Sequence, residues 1–168
     1  MTLDEFWALV DKSRKGAEAG TDEQADKLTD LLAALPPDDV VAFMQHFYEL
    51  RNEAYRWDLW AVAFIINGGC SDDGFLDFRA WLIAKGRKFF EAALAKPEDA
   101  AKGVGAGQEC EFESFAYSAP KAYEKATGLD FPDDRLDLSG ILENPAGTPW
   151  EEEDLPKLFP KLCKKFDM

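Results

Sequence analysis

The amino-acid sequence predicts an all-α fold, an irregular bundle of six to eight helices in one domain over residues 1–168. Apolar residues recur at helical spacing through most of the chain, and capping residues, prolines and glycines divide these stretches. No alternating apolar pattern is long enough to indicate a strand. With 46% hydrophobic residues, a chain of this length can bury a core of its own.

The first two helices are predicted from their capping residues. Thr2 and Glu5 form a capping-box pattern, which places the first helix at about residues 3–15. Thr21 and Gln24 form a second such pattern ahead of the next apolar stripe. Both helices therefore begin at defined residues, and a pair of prolines stops the second one.

The third and fourth helices lead to the centre of the bundle. Pro37 favours a helix start because its fixed φ suits the first turn, and the third helix covers about 38–55. Residues 59–66 are apolar nearly all round, which is typical of a helix surrounded by others. Asn67 to Gly69 tolerate the left-handed conformation that closes a helix. We therefore predict a buried central helix near 59–66.

The remainder alternates between helix and loop. Ser71 caps the next helix, with acidic residues favourable in its first turn, and helical spacing continues past Gly86. The C-terminal segments are predicted to be a mostly loop region at 96–108, a helix at 109–127 kinked near Pro120, a mostly irregular stretch at 129–149 and a helix at 150–166.

Charge and targeting features exclude several classes of function. The chain carries 33 acidic and 19 basic residues, for a net charge of −14, which disfavours nucleic acids and anionic membranes. A protein with a basic surface is the partner that this charge favours. No apolar stretch reaches about 18 residues, and the acidic N-terminal sequence lacks signal-peptide features. We expect a cytoplasmic protein.

Several motifs together resemble one known family. They are Phe6-Trp7, the segments 54–60, 66–75 and 78–83, and the shorter segments 109–112 and 122–124. This set resembles a bacterial family of unknown function, number 4240 in the domain-of-unknown-function series, whose members are common in actinobacteria. The resemblance covers roughly residues 3–127 and implies a compact, mostly helical protein. It supplies no catalytic residues.

The segment 56–87 carries the candidate site. Its polar side chains stand among three tryptophans in a pattern that a buried core does not require. We therefore predict a binding region here, without catalytic assignments. The candidate binding residues are Arg56, Trp57, Asp58, Trp60, Asn67, Cys70, Ser71, Asp72, Asp73, Arg79 and Trp81.

Two of these residues have alternative interpretations. Asp58 is either a structural carboxylate paired with an arginine, Arg79 being the first choice, or a perturbed acid in a ligand pocket. Cys70 stands at a helix N-terminus, where the helix dipole can activate a thiol, but the neighbouring acids Asp72 and Asp73 oppose a thiolate. A capped turn between helices is the main interpretation of this segment.

Neither a metal site nor a cofactor is predicted. His46 is the only histidine, whereas di-metal bundles use a Glu-x-x-His pair from each of two helices. The three cysteines are widely spaced and odd in number, so no disulfide framework is expected. Residues 103–107 are rich in glycine, but no strand precedes them and no Lys-Ser or Lys-Thr follows.

Two functions from different classes fit these features. The first is a non-enzymatic acidic binding or interaction protein, which acts through the 67–73 turn or its acidic surface. The alternative is a small hydrolase-like enzyme with a pocket near Arg56, Asp58, Cys70 and Asp73. Convergence of those side chains on an open pocket would favour the enzyme. If those side chains bond only to one another and to helix ends, a structural network would be favoured.

Overall fold

The computed structural model describes all 168 residues and confirms the all-α fold. It contains no strand, and its single isolated bridge joins Arg56 to Ala146. Three short 3-10 helices cover Pro97–Ala101, Asp133–Arg135 and Glu152–Asp154. The ten α-helices are α1 (Leu3–Ser13), α2 (Asp22–Ala33), α3 (Pro37–Glu53), α4 (Trp57–Asn67), α5 (Asp72–Ala84), α6 (Arg87–Ala95), α7 (Glu113–Ala116), α8 (Ser118–Thr127), α9 (Leu155–Leu158) and α10 (Pro160–Lys165).

One of the two predicted capping boxes forms. Thr2 and Glu5 exchange both hydrogen bonds at the start of α1. The second prediction is wrong, because the Thr21 hydroxyl instead donates to the carbonyl of Glu18 at 2.6 Å. The side chain of Gln24 is fully buried, where it accepts from the backbone of Gly20 and donates to the carbonyl of Ala84. The long-range hydrogen bond of the buried Gln24 side chain to Ala84 thus replaces the predicted local cap.

Helix α4 is the buried helix that the sequence predicts. Leu59, Val62 and Ile65 are no more than 1% exposed. Gly68 adopts the left-handed conformation at φ +66° and ends α4. Ser71 then accepts a hydrogen bond from the backbone of Gly74 at 3.1 Å, which caps α5. Two helices therefore meet at this turn, as predicted.

The predicted C-terminal helices are broken into shorter pieces. The 109–127 helix is two helices that divide at Tyr117, and Pro120 lies in the first turn of α8, where a missing N–H is tolerated. The 150–166 helix also divides, because Pro160 disfavours the helical conformation for Phe159, whose φ is −133°. These breaks raise the number of α-helices to ten, above the predicted range.

One hydrophobic core joins the helices. It contains 38 buried residues and extends from α1 to α10. Helices α3 and α5 pack against each other, and the irregular segment 137–146 crosses α3 on its outer side. No helix in the structure combines the length and apolarity that a membrane crossing requires.

Candidate functional site

The turn between α4 and α5 is held by hydrogen bonds within the protein. The indole of Trp60 donates to the carbonyl of Cys70 at 2.9 Å, and the backbone N–H of Cys110 donates to Asn67 Oδ1 at 3.0 Å. Ser71 is occupied by the cap of α5. Asp72 and Asp73 lie exposed in the first turn of that helix. Most polar atoms of this turn therefore join helix ends.

Asp58 pairs with Arg56 and not with Arg79, which corrects the first-choice prediction. The Arg56 Nε donates to Asp58 Oδ1 at 3.0 Å, and its Nη1 donates to the carbonyl of Leu94 at 2.8 Å. The Arg56 and Asp58 side chains remain 29% and 43% exposed. The reason is local: Arg56 immediately precedes α4, whereas Arg79 faces α3 from the middle of α5.

Two of the three predicted tryptophans, Trp57 and Trp60, form an aromatic stack. The rings of Trp57 and Trp60 lie 5.3 Å apart at 12°, and Trp60 stacks on Phe75 at 5.0 Å and 8°. Trp81 is 3% exposed and packs between Phe78 and Phe89. Edge-to-face and stacked contacts of this kind stabilise a core, so Trp60 and Phe75 join α4 to α5, and Trp81 and Phe89 join α5 to α6.

The residues of the predicted enzyme pocket do not share a cavity. Asp58 lines one cavity together with eight residues between Gly147 and Phe159, Asp73 lines another, and neither Arg56 nor Cys70 borders either of them. Burial, and then the charge of Glu111, raise the pKa of Cys70 to about 12. The thiol therefore stays protonated at neutral pH, unlike an activated nucleophile.

Arg79 instead belongs to a different cluster, between α3 and α5. Its side chain is buried, and the residue is only 6% exposed. The Nε donates to the carbonyl of Phe75 at 3.2 Å, and Nη1 donates to the carbonyl of Arg51 at 2.9 Å. The guanidinium lies over the ring of Tyr55, 4.4 Å from its centroid. These contacts fix the position of the charge.

Arg51 contributes a second guanidinium to the same cluster. It lies 4.6 Å from the ring centroid of Tyr48 and 5.2 Å from that of Phe47. Burial lowers the pKa of both arginines, and for Arg79 the charge of Arg51 adds to the effect and the value falls to about 10. Both groups are still charged at neutral pH, and neither forms an ion pair with a carboxylate.

The two arginines line one cavity of about 270 Å³. Tyr48, Asn52 and Tyr55 complete its polar side. Its apolar side comprises Leu76 and three residues of the crossing segment, Leu138, Ile141 and Leu142. Glu143 is exposed at the rim and pairs with neither arginine. Two cations and an apolar wall thus face one partly open cavity.

A second, acidic groove of about 740 Å³ adjoins this cavity and shares Tyr48, Arg51 and Leu76 with it. Burial raises the pKa of Asp77 in this groove, and the charges of Glu113, Glu111 and Asp73 raise it further. The carboxylates that line this groove are Asp73, Asp77, Glu113 and Asp133, and none of them forms an ion pair.

His46 lies away from these cavities. Its Nδ1 is 3.2 Å from the carboxylate of Glu49, and its Nε2 is 3.2 Å from the carbonyl oxygen of Met1. The structure contains no group of three or more His, Cys, Asp or Glu side chains placed to hold a metal ion. The three cysteines are free thiols.

Arg79 was predicted as a site residue but with the wrong partner, and Arg51 and the tyrosines were not predicted. A signal for them does exist in the sequence. Tyr48, Arg51 and Asn52 follow the i, i+3, i+4 spacing, which places them on one face of α3. The crossing segment is irregular and leaves no periodic pattern, so its contribution was not visible.

Comparison with known proteins gives a family but no activity. Residues 1–125 match a family model described as a protein of unknown function, DUF4240. Neither the curated proteins nor the solved structures contain a match to this chain. The arginines of the cavity lie inside the matched range, and the crossing segment lies beyond it. The match covers most of the chain, which therefore belongs to the DUF4240 family.

Proposed function

We propose that this protein is a non-enzymatic binding protein whose ligand carries an anionic group, and that Arg51 and Arg79 receive that group. One observation carries the proposal. The chain has six arginines, and four of them form ion pairs with carboxylates. The two without such a partner line the same cavity.

The chain is rich in carboxylates, so the lack of partners is informative. With 33 acidic residues available, the four other arginines all find one nearby. Removing a charge from water is costly unless an opposite charge compensates for it. An anion bound between Arg51 and Arg79 would supply that compensation, since guanidinium groups bind carboxylates and phosphates through paired hydrogen bonds.

The surroundings of the arginines favour binding over chemistry. The polar groups that accompany them are tyrosine hydroxyls, the amide of Asn52 and the exposed carboxylate of Glu143 at the rim. The only histidine is bonded elsewhere, and the protonated thiol of Cys70 does not border this cavity. The predicted hydrolase-like alternative therefore receives no support from the arrangement of Arg56, Asp58, Cys70 and Asp73.

The binding proposal is tested by thermal unfolding with inorganic phosphate or acetate, titrated at constant ionic strength. Either anion should raise the melting temperature of the wild-type protein and leave that of Arg51→Gln unchanged. Arg87→Gln is the matched control, because it removes the same charge from an exposed arginine on α6. Equal shifts for the wild type and Arg51→Gln would refute the proposal.

The acidic groove supports a second candidate, a partner protein with a basic surface. Four carboxylates line it and none of them forms an ion pair, and the pKa of Asp77 is raised first by burial and then by the charges of Glu113, Glu111 and Asp73. A hexalysine peptide should bind by calorimetry, with weaker binding at high salt. The double variant Asp73→Asn, Asp77→Asn should abolish that binding, whereas Asp22→Asn on α2, a residue that does not line the groove, should not. Unchanged binding to the double variant would contradict this candidate.

A further inference from the structure

The segment 137–146, called the strap below, is attached to α3 by two side-chain amides. Gln45 Nε2 donates to the carbonyl of Asp137 at 3.0 Å, and Gln45 Oε1 accepts from the N–H of the same residue at 2.9 Å. Asn52 Nδ2 donates to the carbonyl of Gly140 at 3.1 Å, and its Oδ1 accepts from the N–H of Leu142 at 2.8 Å. Each amide thus satisfies one backbone donor and one backbone acceptor.

The far end of the strap is fixed as well. The N–H of Ala146 donates to the carbonyl of Tyr55 at 2.9 Å, and the N–H of Trp57 donates to the carbonyl of Ala146 at 2.9 Å. Gln45 and Asn52 are seven residues apart, so both point from one face of α3. The strap is therefore held at both ends, directly across the cavity that contains Arg51 and Arg79.

The strap brings apolar side chains to that cavity. Leu138, Ile141 and Leu142 remain 45%, 39% and 44% exposed, and all three line the cavity. They are not part of the hydrophobic core. A polar strap that presents three half-exposed aliphatic residues opposite two guanidinium groups produces a cavity with one charged side and one apolar side.

We infer that the ligand is an organic acid whose carboxylate pairs with Arg51 and Arg79 and whose aliphatic body lies beneath the strap. This inference rests on the proposed function and narrows it. Inorganic phosphate or a dicarboxylate would leave the aliphatic side chains without a partner. The cavity of about 270 Å³ is at the small end for ligand sites, which favours a body of only a few carbons.

A series of straight-chain acids tests this inference by calorimetry at constant ionic strength. The affinity should rise at least about tenfold from acetate to hexanoate, because each buried methylene favours binding. Hexanamide, which has the same shape without the charge, should bind far more weakly. Equal affinities for acetate and hexanoate, both dependent on Arg51, would overturn the inference and leave the proposed function intact. If none of the acids binds in a way that depends on Arg51, both this inference and the proposed function are overturned.

Two strap variants separate the apolar contact from the fold. Leu142→Ser should abolish the rise in affinity from acetate to hexanoate. The affinity for acetate should stay the same, since the backbone N–H of residue 142 still donates to Asn52. Leu129→Ser is the matched control, because Leu129 is 64% exposed and does not line the cavity. An undiminished gain in a folded Leu142→Ser protein would contradict the role of the strap.

A free acid and the C-terminus of a peptide present the same chemistry. An acetylated tetrapeptide, Ala-Ala-Ala-Leu, distinguishes these sources when it is compared with hexanoate. Stronger binding of the peptide would support a chain end as the source, and weaker binding would support a free acid. The C-terminally amidated peptide should fail to bind in both cases, and binding equal to that of the free peptide would overturn the inference.

Discussion

At the scale of single residues, the arginine side chains of this protein fall into two groups. Arg56 and Arg87 pair with carboxylates in contact with solvent, where each pair contributes little to stability. Arg51 and Arg79 both lie over aromatic rings, and Arg79 also donates to backbone carbonyls, in a setting where an uncompensated charge is costly. A bound anion would therefore stabilise Arg51 and Arg79 more than the arginines that already have a carboxylate partner.

The Asp58–Arg56 pair is expected to be a modest contributor to stability. Asp58→Asn should lower the free energy of unfolding by about 1 kcal/mol, because solvent reaches both side chains and screens their attraction. Urea unfolding of the wild-type and variant proteins measures this difference. A loss of about 3 kcal/mol or more would instead indicate a pair that behaves as buried.

Asp77 is expected to destabilise the fold when it is ionised. Its pKa is raised by burial and by neighbouring carboxylates, so the charged form is less favourable in the folded chain than in the unfolded one. Asp77→Asn should therefore raise the free energy of unfolding at pH 7, by less than about 1 kcal/mol given the exposure of the group. The difference should shrink as the pH falls through the raised pKa of Asp77. A variant less stable than the wild type at pH 7 would contradict this account.

At the scale of elements, the local signals predicted the helix ends well when their partners were nearby in sequence. The capping box of α1, the left-handed Gly68 and the Ser71 cap depend on residues at most a few positions apart. The failures depend on distant contacts. Gln24 leaves its predicted cap because Ala84, 60 positions away, accepts its hydrogen bond.

The glycine between α5 and α6 should be more sensitive than the one that ends α4. Gly86 adopts φ +95° and ψ 166°, a region that is almost confined to glycine, and an added Cβ would lie 2.3 Å from Arg14 Nη1. Gly68 is left-handed with open space around it. Gly68→Ala should cost about 1 kcal/mol and Gly86→Ala about 2 kcal/mol or more. Thermal and urea unfolding compare the two, and equal losses would contradict this ranking.

At the scale of the whole molecule, a net charge of −14 surrounds a small cationic cavity. The general field repels anions and favours cations, so an anion that binds must do so through close contacts. Added salt screens the repulsion at a distance more than it weakens contacts inside a partly buried cavity. This balance favours ligands with a single negative charge and an apolar body over highly charged ones.

The sequence predicted the class of the fold, the central helix and the α4–α5 turn, because these depend on periodicity and on local caps. It did not predict the cavity between α3 and α5. That cavity needs Arg51, Arg79 and the strap to meet across 28 and more positions, and the strap has no regular pattern. Contacts of this kind are set by packing and not by local spacing.

The most direct measurement of the central claim is an NMR titration of the arginine Nε–Hε signals with acetate. The six arginines give only six Nε–Hε signals. The signals of Arg51 and Arg79 are assigned by their disappearance in Arg51→Gln and Arg79→Lys. We predict that the signals of Arg51 and Arg79 shift together with one dissociation constant, while those of Arg87 and Arg135 remain unchanged. Shifts of similar size at all exposed arginines, or none at Arg51 and Arg79, would contradict the claim that this cavity binds anions.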